Sequence, residues 1–296
     1  MAQPDFLVIG AMKCATSTVC AYLEDHPEVF MVPNAEPSFF SHDDNWAKGA
    51  DWYACFFAGR ADERLCGEGS NHYAHAAVHP HAAGRIAEFC PDAKLIYMVR
   101  HPVQRIVASW VQKRVNQGDN IAPTLDRAVI EQPDAFIDES LYWRQLSQYR
   151  AHFPDDRIFI GFMEELKADA PAFMARLCAF LDIAPTEALE RPHMNPSAGK
   201  RVPSELYTAV RRLPGIKALA RLAPKGPKQW LKRRVFSTRL DARPAFSPQV
   251  LARLEAQIAP DAAAFLAHCG KPADHWRFET RPTETAMDGN GPTRHR

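Results

Sequence analysis

No run of about 18 or more apolar residues occurs in this chain, so the sequence predicts no membrane-spanning helix. Its N-terminus lacks a basic stretch leading into an apolar one, and no secretory leader is expected. The 7 cysteines are scattered, odd in number and never spaced C-x-x-C, which argues against a disulfide framework or a zinc knuckle. Free thiols in a reducing compartment fit that pattern, and the expected location is cytoplasmic. No internal repeat stands out. The phosphate-loop pattern G-x-x-x-x-G-K-[ST] is also missing, and with it the Walker lysine-serine pair that a nucleotide kinase uses.

What is present is an alternation of apolar runs and helical spacings. With 296 residues, 46% of them hydrophobic, the chain can bury one large α/β core. "DFLVIG" reads as a buried strand stopped by Gly10, and Thr16 to Glu24 as the helix after it. "RLCGEGS" (64–70) reads as a short second strand, "AKLIYMVR" (93–100) as the clearest one, and "RIFIGFMEEL" (157–166) as another. Helices are expected over 79–90, from Pro102, over 122–131 and 140–152, after 168, and over 246–268. The fold class that follows is α/β, a three-layer parallel sheet flanked by helices. One domain over 1–278 is expected, with a disordered tail over 279–296 rich in Thr, Pro, Gly and charge.

The stretch "IGAMKCATSTVCAYL" places a short loop between strand and helix. A helix N-terminus offers unpaired N–H groups and a positive dipole end to whatever the loop wraps. Thr16, Ser17 and Thr18 add hydroxyls there, and Lys13 adds a mobile cation. These residues describe an anion site for a tetrahedral group; the competing account of the Thr-Ser-Thr cluster is a plain helix cap. Arg100 at a strand end and Ser109 about two turns into the next helix can form a second anion site. A surface ion pair and a hydroxyl bonded back to its own helix are the alternatives for those two.

Further blocks fall in order along the chain: "AEPSFFS" (35–41), "GADWYACFF" (49–57), "GEGSNHY" (67–73), "AKLIYMVRHPVQRIVASWVQKR" (93–114), "NPSAGKRVPS" (195–204) and the closing "FSPQVLARLEAQIAPD" with its later Trp276. Together with the 10–18 loop they resemble the sulfotransferase family that uses 3′-phosphoadenosine 5′-phosphosulfate (PAPS), most of all its heparan-sulfate and bacterial carbohydrate-type branch. The resemblance implies a P-loop NTPase-like sulfotransferase fold and in-line transfer of a sulfuryl group to a hydroxyl or amine of a carbohydrate, glycolipid or small molecule, with no metal required. It implies that Lys13, Cys14, Ala15, Thr16, Ser17 and Thr18 hold the 5′-phosphosulfate, and that Arg100, Ser109, Lys200 and Arg201 hold the 3′-phosphate. Lys13 corresponds to the family's catalytic lysine and Glu36 to its catalytic glutamate. His72 is the rival base, and Glu68 and Ser70 resemble residues that line the acceptor cleft, with a structural hydrogen-bonding role as the alternative for these two.

Two departures stand out. Ala15 occupies the place where the family has glycine, and an alanine is expected to need ordinary φ there. Glu36 follows Asn34-Ala35 instead of a lysine. Pro37, Phe39 and Phe40 are expected to desolvate Glu36 partly and raise its pKa. Two other readings are a kinase-like nucleotide-phosphate transferase and an inactive protein that only binds PAPS or its product PAP. Residues 200–239 hold twelve Lys or Arg against the single acid Glu205. That segment suggests an anionic partner: a cap over the nucleotide or an acidic glycan, or, through 213–236, an anionic membrane surface on the inner face. No nucleic-acid recognition motif accompanies the charge.

Overall fold

In the computed structural model, which describes residues 3–33, 36–185, 201–203, 237–239 and 244–278, the apolar runs pair into one parallel sheet. Its strands are β1 (Phe6–Gly10), β2 (Val29–Met31), β3 (Leu65–Gly69), β4 (Lys94–Val99) and β5 (Ile158–Phe162), in the order β2-β3-β1-β4-β5. Val8 stands opposite Gly69 on one side and Ile96 on the other. All of β1, and all of β4 beyond Lys94, is buried. Continuous apolar runs are what a parallel strand covered on both faces requires. The three-residue β2 ("VFM") was too short to stand out in the sequence.

Among the described residues the α-helices are α1 (Thr16–Glu24), α2 (Asp43–Trp46), α3 (Gly49–Ala54), α4 (Ala82–Phe89), α5 (Pro102–Gln117), α6 (Leu125–Glu131), α7 (Pro133–Phe136), α8 (Tyr142–Arg150), α9 (Met163–Ala168), α10 (Ala170–Leu181) and α11 (Pro248–His268). α1 packs on β2 and β3, and α11 packs on α8 and α5. The expected strand over 157–166 stops at Phe162 instead. Met163 opens α9, whose first turn holds Glu164 and Glu165, where carboxylates suit the positive end of a helix. A small antiparallel pair, β6 (Arg201–Pro203) with β7 (Ser237–Arg239), brings β6 against α5.

This order fixes where a ligand belongs. From β1 the chain moves outward to β2 and back to β3, then crosses β1 to reach β4 on its other side. The crossover direction therefore reverses between β1 and β4, and in an open parallel sheet the crevice at that reversal, at the carboxyl ends of the strands, receives ligands. Gly10 ends β1 there, Ser70 follows β3, and Arg100 follows β4. Gly10 has φ 142, and a Cβ on it would lie 3.1 Å from Ala74 Cβ and 3.2 Å from the Asn71 carbonyl oxygen. The missing side chain lets the 3-10 turn Asn71–Ala74 sit directly over the start of the loop. The expected tail over 279–296, Lys200 and the basic stretch 204–236 lie outside the described residues.

Candidate functional site

The loop after β1 leaves its helix end uncapped. Ala15 is the N-cap residue of α1, and its methyl side chain accepts no bond from the first turn. The Thr-Ser-Thr cluster is therefore not the cap of this helix: Thr16 and Thr18 are buried and Ser17 is exposed. The first-turn N–H groups of a helix have no partner within it and attract anions. The backbone bends tightly to present them, with Lys13 at φ 72 and Ala15 at φ 68. The expectation that Ala15 adopts ordinary φ is thus overturned. The turn imposes a left-handed conformation that disfavours any residue with a Cβ. Cys14 contributes only backbone to this mouth. Its buried Sγ faces the Tyr142 hydroxyl at 3.6 Å, and burial pushes its thiol up to about 11.

Across the crevice, Arg100 is buried, with Nη1 donating to the Lys13 carbonyl at 3.2 Å and Nη2 to Gln104 Oε1 at 3.0 Å. Its Nε has no partner among the described residues, and neither does the fully buried Oγ of Ser109. Arg105, Ser109 and Gln112, spaced four and three apart, share one face of α5. That face meets the loop, because Lys13 Nζ reaches Gln112 Oε1 at 3.5 Å. A surface ion pair does not describe Arg100, and a bond back into its own helix does not describe Ser109. Both offer unused donors in a place where an orphan polar group is costly. Arg201 lies in β6 against α5, the helix that carries Ser109; its side chain is outside the described residues.

The 36–41 block is anchored from below. Phe39 stacks on Tyr53 with ring centroids 4.5 Å apart, and Phe40 meets Tyr73 edge-on at 5.5 Å. Glu36, at the start of the block, is exposed; its carboxylate accepts from the Asn71 side-chain amide at 2.8 Å and the Asn71 backbone N–H at 3.3 Å. The expected desolvation by Phe39 and Phe40 is not found, because both rings face the core. His72 is half-buried, its Nδ1 3.4 Å from Ser38 Oγ, and burial holds its pKa below the usual histidine range. His42 and His79 stand against it with ring centroids 5.1 and 5.6 Å away, and burial brings His79 down to about 4.

Glu68 and Ser70 do not line a cleft. Both are fully buried, and the Glu68 carboxylate accepts from Ser70 Oγ at 2.8 Å, Tyr73 at 2.5 Å and Tyr53 at 3.3 Å. Contact with an acceptor is thereby ruled out for these two side chains in this conformation. Sequence reasoning also missed the residues that hold the site together. Tyr53 and Tyr73 were visible only as parts of the W-Y and G-E-x-S-x-x-Y blocks, and nothing in a linear pattern pairs Asn71 with Glu36. An open groove of about 590 Å³ lies elsewhere, lined by Trp46, His81, Arg85 and His152 among others, and shares no residue with this site.

The sulfotransferase family profile matches residues 48–187. The chain is 29% identical over 188 residues to the heparan sulfate glucosamine 3-O-sulfotransferase 3B1 of Homo sapiens, covering 61% of this chain and 46% of that protein. Over that stretch the chain resembles the sulfotransferase family. Its fold matches the crystal structure of a sulfotransferase from Alicyclobacillus acidocaldarius with a TM-score of 0.65 at 23% identity, over 94% of this chain and 100% of that one. The chain spans under half the length of the first curated relative it matches. The expected cytoplasmic location does not stand. A membrane-associated sulfotransferase, kil1 of Dictyostelium discoideum, is 32% identical over 110 residues, covering 36% of this chain and 22% of that protein. Among the described residues no helix is long and apolar enough to cross a membrane, and no cluster of three or more His, Cys, Asp or Glu is arranged to hold a metal ion.

Proposed function

We propose that this chain is a sulfotransferase that transfers a sulfuryl group from PAPS to a hydroxyl or amine of a carbohydrate, glycolipid or small-molecule acceptor. The observation that carries the reading is the pair of buried, unpartnered donors, Arg100 Nε and Ser109 Oγ, set across the crevice from an uncapped helix end. A ligand with an anion at each end of a nucleoside satisfies both, and a ligand with one anionic end does not. The donor supplies the activated sulfuryl group and a phosphate leaving group. The chain supplies position and charge, which carry most of the catalysis in the related phosphoryl transfers.

In this reading the first-turn N–H groups of α1 and the Thr16 and Thr18 hydroxyls bind the 5′ end. Lys13 neutralises charge on the departing oxygen. Arg100, Ser109, Lys200 and Arg201 bind the 3′-phosphate. Glu36 takes the proton of the attacking group, and Asn71 fixes the direction of its carboxylate. Exposure suits this task, since the acceptor must reach Glu36 from solvent. A second base is favoured by one observation: burial keeps the His72 ring neutral near pH 7, so its imidazole can also accept a proton. The carbohydrate class of the acceptor draws support from the heparan-sulfate relative.

Calorimetry with PAP and with ATP tests the donor. PAP is expected to bind, with Ser109→Ala weakening it roughly tenfold while leaving adenosine 5′-monophosphate unaffected. Equal binding of ATP and PAP would favour the kinase-like alternative. Glu36→Gln separates the bases: turnover falls at least about 100-fold with PAP affinity intact if Glu36 is the base, and near-normal turnover transfers the role to His72.

A further inference from the structure

Ser38 lies two residues beyond Glu36 and sits at φ 50, a left-handed conformation that a serine does not choose by itself. Its N–H donates to Ser70 Oγ at 2.9 Å. The Ser70 hydroxyl in turn donates to Glu68 Oε2 at 2.8 Å, and Tyr73 and Tyr53 fill Glu68 Oε1. Ser38, Ser70, Glu68, Tyr53 and Tyr73 are all buried. A hydroxyl has one proton, so its direction decides what the oxygen can accept. While the Ser70 proton points at an ionised Glu68, the lone pairs of Ser70 remain available to the Ser38 N–H.

We propose that Glu68 and Ser70 are positioning residues: the ionised Glu68 orients the Ser70 hydroxyl, and Ser70 holds the turn at Ser38 from which Glu36 reaches the reacting group. The inference rests on the reading of Glu36 as the base. Neither positioning residue touches the acceptor. The carboxylate sits where apolar burial would be easier, which is the arrangement expected of a group kept for orientation.

The chain of bonds has a proton switch in it. Oε1 already accepts two hydroxyls, so an added proton goes to Oε2. There it meets the Ser70 proton, which must turn away; Ser70 then accepts from Glu68 with one lone pair, and the rotation takes its other lone pair off the line of the Ser38 N–H and weakens that bond. Burial pushes the Glu68 carboxyl up to about 7, against the opposing pull of its three hydroxyl donors. The other groups facing it are Cys20 of α1, Tyr53 of α3, Cys90 just after α4, Tyr149 of α8, Tyr73 beside it, and Glu36. The two thiols are pushed up to about 12 and the tyrosines are raised by burial, so these stay neutral while Glu68 titrates.

Amide hydrogen exchange at Ser38, followed by NMR on the full chain and corrected for intrinsic rate, tests this directly. Protection in the wild type should drop roughly tenfold between about pH 8 and pH 6, the loss of one hydrogen bond, while core amides of β4 keep theirs. Ser70→Ala should show the low protection at both pH values. Glu68→Gln, whose amide oxygen accepts from Ser70 and whose NH₂ faces the two tyrosines, should keep the high protection at both. Ser38 protection that ignores Ser70→Ala, or a Glu68→Gln variant with the pH dependence of the wild type, overturns the inference. Transfer of label from sulfur-labelled PAPS to heparan sulfate by Glu36→Gln, run alongside, bears on the reading of the base alone. Unchanged Ser38 protection with wild-type transfer in that variant would remove the base and leave the positioning chain standing.

Discussion

Ala15 is where the chain holds a residue its backbone disfavours. A left-handed alanine costs roughly 1–2 kcal/mol relative to a residue without a Cβ, and the bend is needed because it turns the α1 N–H groups toward the crevice. Ala15→Gly should therefore raise unfolding stability by about 1 kcal/mol, read from the urea midpoint, and leave PAP affinity unchanged or improved. Glu68 is a second residue held at a cost. Burial pushes its carboxyl up to about 7 in the folded chain, from the ordinary value near 4.5 that it has when unfolded. Its contribution is complete below about pH 4.5 and is lost as pH rises through about 7, on the order of 3 kcal/mol in all, because the unfolded chain releases the proton first. Glu68→Gln should flatten that slope in denaturation curves taken between about pH 5 and pH 8. The sequence named Ala15, Glu68 and Ser70 as notable. The left-handed φ was illegible because alanine carries no signal for it, and the buried bonding because it depends on tertiary packing, as in the Ser38–Ser70 bond that joins two separate loops.

Among the elements, the strands and the longer helices were legible because period and punctuation agree: Gly10 after an apolar run, Pro102 opening a helix, and helical spacing over 248–268. The short elements were not. β2 is three residues, and α2, α3 and α7 are too brief to show a period. Two tertiary links bind the elements. Asp261 of α11 caps α8 from outside, its carboxylate accepting from the Trp143 N–H at 3.0 Å and the Arg144 N–H at 2.9 Å. Asp261→Ala should cost about 1–2 kcal/mol, the value of a lost helix cap, measured by chemical denaturation. The 36–41 block depends on its aromatic anchor in the same way. Phe39→Ala should cost about 3–5 kcal/mol, and the loss should be accompanied by faster exchange across 36–41, since the ring is what pins Glu36's neighbours to the core.

At the scale of the whole molecule, an order of five strands brings residues distant in sequence to one crevice. Lys13 follows β1, Glu36 follows β2, Ser70 follows β3 and Arg100 follows β4. Each motif was legible singly. Their convergence follows from the reversal of crossover direction between β1 and β4, which no local pattern encodes. The buried Arg105–Glu139 pair, 2.9 Å apart, sits behind the same crevice and ties α5 to the turn before α8. Sulfuryl transfer in this crevice with Glu36 as base is open to a direct test. Transfer from sulfur-labelled PAPS to a panel of glycan acceptors, heparan sulfate among them, tests it in one assay with the wild type and Glu36→Gln side by side. The wild type should give a labelled product, and the variant at least about a 100-fold smaller yield at equal PAP affinity. Equal yields from the two proteins, or no labelled product from a wild type that binds PAP, would contradict it.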